Sequence, residues 1–368
     1  MVTGPLKGML VLDFSTLLPG PLATLLLAEA GATVIKIERP GGDEMRGYTP
    51  RIGGTSVNFA LLNRGKRSLE LDLKSPAARE ELAPLLERAD VLVEQFRPTV
   101  MSRLGLGYDD VRAVNEGIIY CSITGYGQES PRAQVAAHDL NYVADVGLLD
   151  LIDGTSLPHA LIADIGCGAY PAMINILLAL AERERTGRGC HLDIAMADGM
   201  FTWLYAAVGG GLAGGDWPRR GRELLTGGSP RYRLYRTADG RYLAVGALED
   251  RFWSRLCDLI GLPAALRDDG VDPEATAAAV AALIAGDVAA EWERRFAGSD
   301  VCCSIVRTVE EGVAAFASRG LFARTTGDGA GATMPALPVP IDAALRSDEV
   351  EPTAPVLGEY AARGRAAR

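Results

Sequence analysis

The chain of 368 residues has no CxxC pair, no GxGxxG after its first predicted strand and no excess of basic residues, and each absence closes off a class of function. Six scattered cysteines, with Cys302 beside Cys303, fit reduced thiols rather than a disulfide framework or a zinc site, so no metal is expected. The segment that follows the first β-branched run, Ser15–Pro21, reads STLLPGP, which disfavours a nicotinamide-dinucleotide fold. A formal net charge of −10 argues against a nucleic-acid partner, whose binding needs a dominant basic face. No apolar run reaches the length of a bilayer core, and the N-terminus lacks the pattern of a secretory signal. The expectation is a soluble cytoplasmic protein with no membrane partner.

What is present points to a large buried core. Hydrophobic residues make up 48% of the chain, enough for two lobes. In the first half, short β-branched runs alternate with helical patterns, the signature of a parallel sheet with crossover helices. Strands are predicted at Met9–Phe14, Val34–Glu38, Asp90–Gln95, Ile118–Thr124 and His191–Ala195. Helices are predicted at Leu22–Ala30, closed by Gly31, and at Ala77–Ala89, where Pro76 suits a helix start. After Asp164 the run IGCGA reads as the glycine-rich entry of a long buried helix that continues to about Ala181. The Asp-Gly turn between Tyr232–Tyr235 and Tyr242–Val245 marks a hairpin that opens a second region.

The fold class is therefore α/β, a Rossmann-like large domain with a smaller α/β domain. The predicted boundaries are 1–205, completed by 329–368, for the large domain, 206–224 for a linker, and 225–328 for the small domain. Basic residues concentrate in the N-terminal third, from Arg39 to Arg103, either as a solvated face or as a site for a polyanionic ligand.

Several strings in order along nearly the whole chain resemble the class III CoA-transferase superfamily: LVLDFSTLLPGPLATLLLAEAGATVIKIERPGGDEMR, LLNRGKRSLELDLKS, DVLVEQFRPTVMSRLGLGYDD, CSITGYGQ, GRGCHLDIAMADGM and DGRYLAVGALE. The resemblance implies an acyl-CoA substrate, an interlocked homodimer, and coenzyme A carried by the substrate, with no other cofactor. It assigns coenzyme A contacts to Arg39, Leu71, Lys74, Gln95, Phe96 and Arg103; arginine forks suit phosphate oxygens and Lys74 supplies a point charge. Gln95 stands where the family carries asparagine.

His138, in AAHDLNY, resembles the racemase branch, in which a histidine faces the substrate α-carbon, whereas transferases generally carry another residue there. Asp164, in ALIADIGCGAY, resembles the superfamily's central carboxylate, a nucleophile in transferases and a proton-transfer group in racemases. Its place before a helix is expected to favour its charged form. Glu249 matches a glutamate close to the racemase histidine, and Asp139 serves either proton transfer or local structure. His159 and His191 read as structural, and Cys167 as space-filling. Tyr126, Leu140 and Tyr142 are candidates for the acyl site. The loop from His138 to Asp164 is a few residues shorter than in typical racemases, which leaves the acyl group open. Three readings follow: an α-methylacyl-CoA racemase, a CoA-transferase working through an Asp164 acyl anhydride, and a non-catalytic acyl-CoA-binding protein.

Overall fold

The computed structural model describes residues 2–152 and 156–360. The chain divides into two compact units: Met1–Val146 with Pro158–Trp203 and Gly320–Arg368, and Gly147–Leu157 with Leu204–Arg319.

The first unit is built on six parallel strands: β1 (Leu10–Asp13), β2 (Thr33–Glu38), β3 (Arg67–Glu70), β4 (Val91–Glu94), β5 (Ile119–Thr124) and β6 (Cys190–Ala195), in spatial order β3-β2-β1-β4-β5-β6. Five match the predicted strands within a residue or so. β3 was not expected as a strand, because RSLE offers only a short alternation and lies at the sheet edge. The central strands are buried on both faces, as their unbroken apolar runs require. Leu12, Ile35, Leu69 and Leu92 form a core with Ala78, Leu82, Leu85 and Leu86 of helix α2 (Pro76–Leu86). Helix α1 (Pro19–Glu29) starts on a proline, as helices tolerate in their first turn. Gly31 then turns the chain at φ +102°, where a Cβ would come within 2.5 Å of the Thr3 carbonyl oxygen.

Strand order reverses between β1 and β4, so their following loops leave in opposite directions and open a crevice at the carboxyl ends of the strands. The loop after β1 is fixed from below by buried charges. Asp13 accepts from Ser15 N at 2.9 Å, from the Ser15 hydroxyl, from Thr24 Oγ1 at 2.7 Å and from Lys66 Nζ at 3.0 Å. Lys36 Nζ donates to the Ser15 carbonyl at 2.7 Å and pairs with Asp43 at 3.1 Å. Burial alone would raise the Asp13 pKa, but Lys66, Lys36 and the two hydroxyls outweigh it and hold the carboxyl well below the usual range. Burial pushes Lys66 down to about 8, with Asp13 opposing. Above this network Leu17 adopts φ +60°, a conformation that strains a branched side chain.

The glycine-rich entry after Asp164 belongs to the long helix, as the sequence suggests. Ile162–Ala169 forms a π-helical run continuous with helix α4 (Tyr170–Thr186), after α3 (Asp139–Asp145). Gly166 and Gly168 are thereby carried into the helix, Gly166 against the Trp203 ring and Gly168 against Pro19 and Met196. The combined helix of 25 residues is, against the expectation from sequence, long and apolar enough to cross a membrane by length and composition. Its inner face, Ala172, Ile176, Ala179 and Leu180, is buried.

In the second unit, β7 (Tyr232–Arg236), β8 (Tyr242–Gly246) and β9 (Cys303–Ile305) form an antiparallel sheet that packs Tyr235, Leu243 and Val245 with Trp253, Val280 and Trp292. Residues 206–224, expected as a linker, contain most of helix α5 (Tyr205–Gly214): its glycines lie within the helix, and Gly215 at φ +73° ends it.

Breaking the buried pair strands a charge, a change that typically costs about 3–5 kcal/mol. Lys66→Met is expected to lose that much stability and to lower the urea midpoint followed by circular dichroism. A midpoint equal to that of the native chain contradicts the assignment.

Candidate functional site

A cleft of about 390 Å³ opens at the carboxyl edge of the first unit's sheet. The loops after β1 and β4 supply Leu17, Pro19 and Gln95–Pro98, β5 supplies Ile123 and Thr124, and Met196 follows β6. Ala133, Val135, Ala136 and Ala137 form an apolar wall, and His138, Asn141, Tyr142 and Asp164 complete the lining. The fold thus brings His138 and Asp164, 26 positions apart in sequence, to one cavity.

His138 caps the start of α3: its backbone N donates to Asn141 Oδ1 at 3.0 Å, and its carbonyl accepts from Asn141 N at 2.8 Å. These bonds fix the backbone and leave the exposed imidazole at the rim of the cleft. Asp164 lies inside the first turn of the π-helical run rather than before it. Its N–H donates to Asp139 Oδ1 at 2.9 Å, so this amide is already engaged. The expectation that the helix start favours a charged Asp164 is overturned: burial first, then the Asp139 carboxylate, raise its pKa to about 6, with His138 pulling the other way. Asp139 is itself buried and bonded to the Asp164 backbone, which gives it a local structural role.

Tyr142 lines the cleft, donates to the Ala137 carbonyl at 3.1 Å and is pushed up to about 12 by burial and the nearby Asp164. Tyr126 sits behind it, edge to face at 5.3 Å, while Leu140 is exposed and outside the lining. Gly125 permits this packing, since a Cβ there would meet the Tyr142 ring at 2.6 Å. Cys167 is buried against Gly199, and its thiol is pushed up to about 11 by burial, consistent with packing.

Of the residues expected to contact coenzyme A, Gln95 and Phe96 line this cleft. Lys74 and Arg103 meet elsewhere in the same unit, in a hollow of about 380 Å³ that also holds Arg79, Ser75 and Pro76 at the start of α2. Three cations beside a helix N-terminus suit phosphate oxygens. Arg79 was not singled out in the sequence; its place in the first turn of the α2 pattern, five residues after Lys74, was the available signal. Arg39 is exposed, donates to the Gly42 carbonyl at 3.2 Å and lines neither cavity. Leu71 belongs to the core, with its N–H given to the Glu38 carbonyl at 2.7 Å.

Glu249 lies in the second unit, exposed, where its carbonyl accepts from Phe252 N and Trp253 N at the start of the helix Asp250–Ile260. Glu94 was also missed. This buried carboxylate ends the apolar strand β4, accepts from Phe96 N at 2.8 Å and is pushed up to about 7 by burial, against hydrogen bonds from Ser122 and Phe96. Among the described residues no cluster of three His, Cys, Asp or Glu is arranged to hold a metal.

The first unit's sheet thus carries a carboxylate and an imidazole at one cleft and a separate polycationic hollow elsewhere. The chain belongs to CoA-transferase family III, whose profile it matches over residues 6–360. It is 36% identical over 322 residues to human alpha-methylacyl-CoA racemase, covering 83% of this chain and 78% of that one. It is also 36% identical over 271 residues to acetyl-CoA:oxalate CoA-transferase of Acetobacter aceti, covering 71% and 68%. The crystal structure of a CAIB/BAIF family protein from Brucella suis superposes with a TM-score of 0.82 at 29% identity over 99% of both chains. The family is enzymatic and includes both racemases and CoA-transferases.

The raised Asp164 pKa has a consequence for stability. The folded value, about 6, exceeds the unfolded one, about 3.9, so the folded state holds the proton more tightly. The stability linked to this group is complete below about pH 4 and is lost as pH rises through 6. Asp164→Asn is therefore expected to raise Tm by roughly 2–4 °C at pH 8 and to give no advantage at pH 3.5. An equal Tm difference at both pH values in calorimetry contradicts this.

Proposed function

We propose that this protein inverts the α-carbon of a 2-methylacyl-CoA thioester by two-base proton transfer. The observation that carries the reading is the presence of His138 and Asp164 in one cleft, with Asp164 raised to about 6. A carboxylate of that pKa is a stronger base than an ordinary aspartate, and a larger fraction of it is protonated near neutral pH, so it can both take and return a proton. In one direction Asp164 takes the α-proton, and the C–H electron pair moves into the thioester carbonyl to give an enolate. Protonated His138 then returns a proton to the opposite face. Reversal of the roles serves the other enantiomer, and the chemistry uses no metal or organic cofactor.

Lys74, Arg79 and Arg103 are assigned to phosphate groups of coenzyme A. The apolar wall from Ala133 to Ala137 suits an uncharged acyl group. Glu249 enters this reading through the resemblance alone. A second reading, CoA transfer through an Asp164 acyl anhydride, is favoured by the equal identity to the Acetobacter aceti transferase.

The α-proton signal of a 2-methylacyl-CoA in deuterated water, followed by NMR without an acceptor acid, separates the readings. Exchange is expected with the native chain and is expected to fall at least about 100-fold in His138→Ala and Asp164→Ala. The rate should rise from pH 5 to pH 7 as Asp164 ionises. Lys74→Ala and Arg103→Ala should instead raise KM about tenfold, which corresponds to about 1.4 kcal/mol, with kcat little changed. No exchange together with CoA transfer to an added acid establishes the second reading, and binding with neither leaves a non-catalytic acyl-CoA-binding protein.

A homodimer is part of the proposal. Tyr170, Ile174, Leu177 and Leu178 form a stripe on α4 at helical spacing, with Ile174 56% and Leu178 64% exposed. We assign this stripe to a second copy of the chain. Sedimentation should give a dimer for the native chain and a shift toward monomer for Ile174→Asp with Leu178→Asp; a native monomer refutes the assignment.

A further inference from the structure

The proton transfer proposed above creates negative charge on the thioester oxygen, and neither group that exchanges the proton is assigned to that oxygen, since protonated His138 directs its proton at the α-carbon. Asp164 is a carboxylate, and Asp139 behind it is another. The Tyr142 hydroxyl proton is already given to the Ala137 carbonyl. Asn141 and Arg97 also line the cleft, but both are exposed to water, which weakens any bond they make to a developing charge.

Gln95 differs from both. It follows β4, is half-buried and lines the same cleft as His138 and Asp164. Its Oε1 accepts from Gly20 N at 3.0 Å, in the first turn of α1, whose start has no other side-chain cap. A backbone N–H requires an acceptor, so this contact fixes the sense of the carboxamide: oxygen toward Gly20 and Nε2 turned away from it. The contact is close. A Cβ at position 20 would stand 2.9 Å from Gln95 Oε1 and 2.1 Å from Ser15 Cβ. Among the described residues no acceptor takes an Nε2 proton, and the atom is not sealed in the interior. The donor end of a positioned amide is thus uncommitted at the cleft. The extra methylene of glutamine, relative to the asparagine of the resembled family, lengthens the reach of an amide that must also meet Gly20.

Resting on the racemase reading, we propose that Gln95 Nε2 donates to the thioester carbonyl oxygen and stabilises it as it becomes an enolate. Gln95 is then a catalytic residue that neither gives nor takes the α-proton. A donor aimed at developing charge acts mainly on kcat, because the bond strengthens as the oxygen gains charge.

Gln95→Glu separates this role from a structural one, since it keeps an oxygen for Gly20 N and removes the donor. With 2-methylacyl-CoA in deuterated water, Gln95→Glu and Gln95→Leu are expected to lower the kcat of α-exchange about 100- to 1,000-fold, with KM within about threefold of the native value. Gln95→Asn is expected to recover part of that loss. With a carbonyl-13C thioester, the bound carbonyl resonance should shift downfield in the native protein and not in Gln95→Glu. If the native chain exchanges the α-proton and Gln95→Glu keeps kcat within threefold, with or without a higher KM, this proposal falls and the racemase reading stands. If the native chain binds the thioester without exchange, both fall.

Discussion

Two lysine side chains shut off from water, Lys36 and Lys66, meet Asp13 and Asp43 beneath the loop after β1, and the geometry of the cleft depends on that meeting. Burying ions is costly unless each is paired and hydrogen-bonded, and nearly every polar atom here is. Lys66 alone reaches Asp13, Thr24, Asn63 and the Pro21 carbonyl. The network joins β1 and β2 to the start of α1 and the turn before β3. It holds the Ser15 carbonyl in place, and so supports the Leu17 conformation and the Pro19 wall. A purely apolar filling would lack the directionality to place a strained loop at the edge of a reactive site.

The same constraint links the two sides of the crevice. The loop from β1 carries Gly20, the loop from β4 carries Gln95, and one hydrogen bond joins them across the point where strand order reverses. Glu94, one residue earlier, fixes the backbone of Phe96. The crevice is therefore a consequence of sheet topology, but its polar groups are aimed by a few buried contacts behind it. Asp164 carries the opposite energetic sign. Its burial beside Asp139 opposes folding at neutral pH and gives the carboxyl a pKa near the working range, a common trade between stability and chemistry at active sites.

Much of this was legible in the chain itself. Apolar runs such as VLVE and IYCSIT read as buried parallel strands, and Pro76 and Gly31 marked helix ends by chemistry that acts locally, whereas the first helix, expected from Leu22, starts at Pro19. Strings such as the one around Arg39 carried the family, and the one around His138 its racemase branch. Less legible was the π-helical run, because Gly166 and Gly168 weaken a helix unless close neighbours such as Trp203 and Met196 occupy the space they leave. Arg79 and Glu94 were missed for a related reason: a single charge in a helix or at a strand end is uninformative until its neighbours are known.

Local covalent geometry and hydrophobic periodicity act over a few residues, and on those the sequence alone settled five of the six parallel strands, the start of α2, the α/β class and the residue types available for chemistry. Whether an aspartate is a better or a poorer base is decided at longer range, by the water that packing excludes and the charges brought close to it. Tertiary structure therefore reversed the expectation for Asp164, gathered Lys74, Arg79 and Arg103 into one hollow, left Arg39 outside it, and turned the Gln95 amide by giving its oxygen to Gly20.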